Sequence, residues 1–192
     1  MENGNIIKIS SGKQKVRILR PWEARKLIDA IPKNDYRLIF KTLLFTGARY
    51  IEIVRFQKHL DWFDGQFIEM PSMLASKKAK RKQKERWIRL NPRGQEIIQA
   101  FKGVKTPLPS YINWTMGLRR WAKRAEIDIR YLGPKTTRKT WESWLVFSFE
   151  EKLLRILTSQ GHDKTTAIKH YINLPFTDDD AKEMEYFING WV

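Results

Sequence analysis

The sequence predicts a mainly α-helical domain with a small antiparallel β-sheet near its middle. Three observations carry that expectation. Apolar residues recur at helical spacing on both sides of residues 61–90. Inside that window the texture changes to short runs of aromatic and branched residues around an Asp-Gly turn. Hydrophobic residues make up 42% of the 192, with eight Trp and ten Phe, which is enough apolar surface for an ordinary single-domain core.

Met1–Val16 is polar and basic, so residues 1–17 read as a flexible arm ahead of a domain over residues 18–192. Pro21 opens a helix whose apolar side is Trp22, Leu27, Ile28 and Ile31, and Pro32 stops it. Asn34-Asp35 offers a cap for a second helix through Leu38, Ile39, Leu43 and Leu44, ended by Gly47 in a left-handed turn. Ala48–Lys58 is helical again. Asp61-Trp62-Phe63, the turn Asp64-Gly65 and Gln66–Met70 read as a hairpin, and Trp87–Leu90 closes a sheet of about three strands. Pro92–Lys102 and Ser110–Glu126 are amphipathic helices; the second carries Arg119, Arg120, Lys123 and Arg124 on its polar side. Thr140–Leu157 forms one or two core helices. Thr165–Tyr171 is a short helix or turn. Thr177–Asp180 caps a last helix whose stripe is Ala181, Met184, Ile188 and Trp191.

Charge narrows the partner. Lys plus Arg total 37 against 21 Asp plus Glu, a net charge of +16 and a pI near 10.1. A domain this basic is built to meet a polyanion. The run Ser76–Arg89 concentrates the charge: Lys77, Lys78, Lys80, Arg81, Lys82, Lys84, Arg86 and Arg89, with Glu85 as its acid. The absence of cysteine excludes disulfides and thiolate metal sites. No apolar run approaches the ~18 residues of a membrane span and no signal peptide opens the chain, so a cytoplasmic, nucleoid-associated location is expected.

Four polar groupings stand in a fixed order. Thr46-Gly47-Ala48-Arg49-Tyr50-Ile51-Glu52 comes first, followed by the lysine-rich hairpin connection. Lys135-Thr136-Thr137-Arg138 is next, and Gly161-His162 precedes Tyr171 by nine residues. Alone, each is more often a solvated helix face or an ordinary packed side chain. The ordered set resembles the tyrosine recombinase (integrase) family, whose signature is a Thr-Gly-x-Arg-x-x-Glu box, a hairpin lysine, a His-or-Lys-x-x-Arg box, a Gly-His box and a nucleophilic tyrosine. The likeness covers roughly Ile18 to the C-terminus and implies the catalytic-domain fold of that family.

What the resemblance implies is DNA cleavage and rejoining through a 3′-phosphotyrosine. Arg49 and Arg138 would clamp the non-bridging oxygens, each guanidinium offering two parallel hydrogen bonds. One well-placed donor is worth about 3–4 kcal/mol in such a site. A free phenol with a pKa near 10 is only about 0.1% ionised at pH 7, so Tyr171 needs neighbouring cations or a proton acceptor. His162 and Lys135 would contact the phosphate or manage protons, and a hairpin lysine would protonate the leaving 5′-oxygen. Lys77 is chosen, with Lys78, Lys80 and Lys82 open. Lys135 stands where histidine is commoner and is assigned to phosphate binding first. No ATP, metal or redox cofactor is required.

The resemblance further implies double-stranded DNA as partner, a homotetramer on DNA, and a C-terminal helix (about 178–191) that either exchanges between protomers or docks on its own domain. The family's helical DNA-clamping domain has no counterpart before residue 20, so either an excised catalytic domain, the favoured expectation, or a reduced enzyme is expected, and the composition is compatible with a mobile element. Two other readings fit the composition: a non-catalytic DNA-binding module descended from an integrase, and an enzyme resembling type IB topoisomerases.

Overall fold

The structure, a computed structural model, describes residues 6–11, 14–72, 85–161 and 174–191. The first of these corrects an expectation. Rather than a flexible arm, strands β1 (Lys8–Ser11) and β2 (Gln14–Arg17) pair antiparallel, with Ile9 opposite Val16. The reason is burial: Ile7 and Ile9 alternate with exposed Lys8 and Ser10, Val16 and Ile18 on the facing segment are buried as well, and the Ile18 amide donates to the Ile7 carbonyl at 2.9 Å. The Arg17 guanidinium is buried too, paired with Glu23.

Helix α1 (Pro21–Ala30) starts with proline at its first position, where a missing N–H costs nothing, and Glu23 accepts the Arg20 amide. Helix α2 (Asn34–Thr46) is the central element. Ile39, Phe40, Leu43 and Leu44 are fully buried, because later helices cover it on several sides. It stops where expected: Gly47 has φ of 57°. Its start is one residue earlier than the proposed cap, with Lys33 as N-cap and Asn34 already helical. Helix α3 (Tyr50–Phe56) follows at once.

The middle differs from the three-stranded sheet read from the sequence. Residues Leu60–Trp62 form a 3-10 turn, and Phe63 makes an isolated bridge to Ile68. The Asp64-Gly65 turn is real: Asp64 Oδ1 accepts the amides of Gln66 and Phe67 at 2.8 and 2.7 Å. The sheet itself is β3 (Phe67–Met70) against β4 (Arg86–Arg89), with Met70 opposite Arg86. Two separate two-stranded sheets are therefore present among the described residues.

Helices α4 (Pro92–Phe101) and α5 (Tyr111–Arg124) are capped by the side chains of Asn91 and Ser110. Helix α6 begins earlier than expected and spans Thr136–Ser148; after a 3-10 turn at Glu150–Lys152, α7 covers Leu153–Gln160. Trp141, Trp144 and Leu145 of α6 are fully buried. Trp144 donates to the Leu19 carbonyl at 3.0 Å and Thr140 accepts the Leu19 amide at 2.9 Å, which fastens the N-terminal segment to α6. Helix α8 (Asp178–Ile188) opens with the expected Thr177 cap and packs on α1 and α6 of its own chain, burying Met184, Phe187, Ile188 and Trp191.

Candidate active site

The geometry grows from one helix end. Gly47 leaves α2 in the left-handed conformation and turns the chain sharply into α3. A Cβ at Gly47 would meet Gln160 Oε1 at 2.5 Å and Trp141 Cδ1 at 2.7 Å, so glycine lets α6 and the end of α7 press against the turn. Thr46 steadies it from within, its hydroxyl donating to the Thr42 carbonyl at 2.6 Å and accepting the Ala48 amide at 3.1 Å.

Arg49 is the N-cap of α3 and Glu52 sits one turn on. The Glu52 carboxylate accepts the Arg49 amide and Nη1, each at 2.7 Å. Arg49 remains 44% exposed while Glu52 is fully buried, so the pair presents a cation outward and keeps its acid inside.

Arg138 arrives from the first turn of α6. It is buried, and Nη1 donates to the Gly47 carbonyl at 2.7 Å and to Gln160 Oε1 at 3.3 Å, while Nη2 donates to the Gln160 carbonyl. Burial pulls the guanidinium down to about 10, with Glu142 opposing that pull, and it stays protonated at neutral pH.

Glu52 records how near these groups are. Burial would raise its carboxyl, but the hydrogen bonds and charge of Arg86, then the charges of Arg49 and Arg138, hold it at about 2. Three guanidiniums thus surround one carboxylate. The residual charge is positive, and the arrangement is suited to receive an anion beside Arg49.

Of the residues singled out from the sequence, Arg49 and Arg138 are brought together at the α2–α3 turn. Lys135 is exposed at the N-cap of α6, with no side-chain hydrogen bond or ion pair to either arginine among the described residues. Lys77, with the alternatives Lys78, Lys80 and Lys82, lies outside the described residues, as do His162 and Tyr171.

Three site residues carried no assignment from the sequence. Glu52 was visible within its box yet given no role. Gln160, whose side chain also donates to the Thr46 carbonyl at 3.2 Å, left no signal. Arg86 did leave one: alternation in β4 sets it on the inward face with Ile88, while Trp87 faces outward. Behind Arg138, Lys139 Nζ donates to Glu142 at 3.1 Å, and burial lowers the Lys139 ammonium.

No protein-family model and no curated protein matches this sequence. Solved structures do. The XerA recombinase crystal structure aligns at 18% identity with a TM-score of 0.63, over 94% of this chain and 66% of that one. The XerH site-specific recombinase, in a post-cleavage complex with palindromic difH substrate, aligns at 17% identity and a TM-score of 0.52, over 91% of this chain and 53% of that one. The chain thus spans just under two thirds of the first and about half of the second. At these identities the likeness is one of fold: mostly helical with small antiparallel sheets, the fold of a tyrosine recombinase catalytic domain.

Proposed function

We propose that this domain cleaves and rejoins double-stranded DNA, with Tyr171 as nucleophile and Arg49 and Arg138 holding the scissile phosphate. The Tyr171 oxygen attacks phosphorus, forming a phosphotyrosine bond as the bond to the 5′-oxygen breaks. The phenol proton passes to a neighbouring base, with His162 the candidate. The leaving 5′-oxygen takes a proton from a hairpin lysine, for which Lys77 is assigned. Religation reverses each step, since the phosphotyrosine conserves the bond energy. Lys135 adds one more cation to the phosphate's surroundings, and assembly of protomers into a tetramer on DNA belongs to the same proposal.

One observation carries the reading. Arg138 is hydrogen-bonded to the carbonyl of Gly47, two residues before Arg49, and both charges bear on Glu52. Two arginines 89 positions apart therefore flank one turn on a +16 domain. The recombinase fold of the solved neighbours supports it.

The test is covalent capture. The 192-residue chain is incubated with a labelled pool of duplexes of randomised sequence, each nicked on one strand so that the short cleaved end diffuses away. Denaturing electrophoresis should show a slower protein–DNA species that disappears in Tyr171→Phe. Duplex binding with no such species at any sequence would make the chain a DNA-binding module. Relaxation of plasmids irrespective of sequence, with no strand exchange, would place it with type IB topoisomerases.

A further inference from the structure

Among the basic residues at 76–89, Arg86 is turned into the protein, its side chain 3% exposed. A buried guanidinium is costly unless every hydrogen finds an acceptor in good geometry. Arg86 meets that demand at three places. Nη1 and Nη2 donate to the two Glu52 oxygens at 3.0 and 2.6 Å, and Nε donates to the Ser159 carbonyl at 3.1 Å. Its stem lies against the α7 terminus so closely that a Cβ on Gly161 would stand 2.8 Å from Arg86 Cδ. Ser159 is held a second time, its hydroxyl accepting the Arg89 amide at 3.0 Å.

One side chain therefore ties β4, the first turn of α3 and the end of α7 together. Stability alone does not call for a charge here, since buried ion pairs are often replaceable by apolar residues without loss. What apolar residues could not do is orient a carboxylate. The fork of Arg86 fixes the plane of Glu52, and that plane sets where Glu52 can accept Arg49 Nη1 and the Arg49 amide. Without the fork, Glu52 could rotate toward its remaining partner, and Arg49 would follow it.

We infer that Arg86 is a positioning residue for the phosphate clamp: through Glu52 it sets the direction in which the exposed Arg49 guanidinium points. The inference rests on the reading of Arg49 as a phosphate ligand under Proposed function.

A double-substitution cycle tests it, on the duplex selected from the nicked pool and at saturating DNA, each variant assayed at a temperature where circular dichroism shows it folded. Arg86→Lys keeps the charge and loses the fork. It should slow covalent-adduct formation by about ten- to a hundredfold, as a displaced substrate-orienting group does. Its duplex affinity should change by less than about threefold, because the Arg86 side chain is buried. The combination Arg86→Lys with Arg49→Ala should be no slower than Arg49→Ala alone, since a residue acting through Arg49 has nothing left to position. Losses that multiply would overturn the inference, as would Arg86→Lys reacting at the native rate. If Arg86→Lys does not fold, Glu52→Gln enters the same cycle with the same expectations. An unmodified chain that forms no adduct defeats the parent reading itself; an active chain with a multiplicative cycle defeats only the role of Arg86.

Discussion

Glu52 shows how a single residue sets both the stability and the charge of the site. A fully buried carboxylate survives as an anion because three guanidiniums neutralise it, and the cost of its burial is offset there. Its carboxyl is held at about 2, below the ordinary 4.5. The sign of the consequence follows from that depression: the stabilisation is complete above 4.5 and is lost as pH falls toward 2. A shift of this size corresponds to about 3 kcal/mol, to order of magnitude. Glu52→Gln cannot titrate, so its unfolding free energy should be lower than the native value at pH 7 and should converge on it as the acid limb is descended. Urea unfolding between pH 2 and 7 measures both curves. Parallel curves would mean that Glu52 contributes no proton-linked stability and that the guanidiniums hold their places without it.

At the scale of elements, the helices were the most legible part of the chain, for physical reasons that can be named. Pro21 and Pro92 start helices because they lack only N–H groups that a first turn leaves unbonded. Gly47 ends α2 because it alone tolerates the left-handed turn without strain, and Thr177 caps α8 through its hydroxyl. The two β segments were read less well. The N-terminal hairpin hides four inward residues among lysines, and its two strands have only four residues each, too short for polarity to signal burial. Residues 61–63 have strand-like composition but close a 3-10 turn, since the Asp64 side chain captures the following amides. Within the site, Arg49 and Arg138 were legible from their boxes. The pairing of Arg86 with Glu52, across 34 residues, and of Arg138 with Gln160 was not, because local spacing says nothing about long-range acceptors. Helix α8 packs on α1 and α6 of its own chain. Trp191 is fully buried, donates to the Arg89 carbonyl at 3.2 Å and stacks near Phe149, while Asn91 donates to the Phe187 carbonyl at 2.7 Å. Removing that indole should cost about 3–5 kcal/mol, as for other large-to-small core changes. Trp191→Ala should lower the urea midpoint with an unchanged slope. The native midpoint should be independent of protein concentration without DNA; a midpoint that rises with concentration would show α8 exchanged between chains already in the free protein.

Across the whole molecule, the net charge of +16 is organised rather than uniform. Inward, three cations are paired with acids, Arg17 with Glu23, Arg86 with Glu52 and Lys139 with Glu142, and Arg138 is held by the Gly47 and Gln160 carbonyls. Outward, α5 buries Trp114, Leu118 and Trp121 and leaves Arg119, Arg120 and Lys123 exposed along one helix. Successive residues at this spacing share a face about one turn long, and a row of cations on a helix matches the repeated phosphates of a duplex. Under the proposed function these three side chains neutralise backbone phosphates, and each neutralised phosphate contributes about −0.9 to the slope of log affinity against log salt. Replacing all three with Gln should therefore weaken binding and flatten that slope by up to about 2.7. The loss should be nearly the same for every duplex sequence, since phosphate contacts carry no base information. Fluorescence anisotropy on two unrelated duplexes between low and physiological salt reads affinity, slope and sequence dependence together. An unchanged slope would turn α5 away from the duplex and leave the basic charge of residues 76–89 and the Arg49–Arg138 turn to hold DNA on their own. A loss confined to one of the two sequences would show instead that α5 touches base edges.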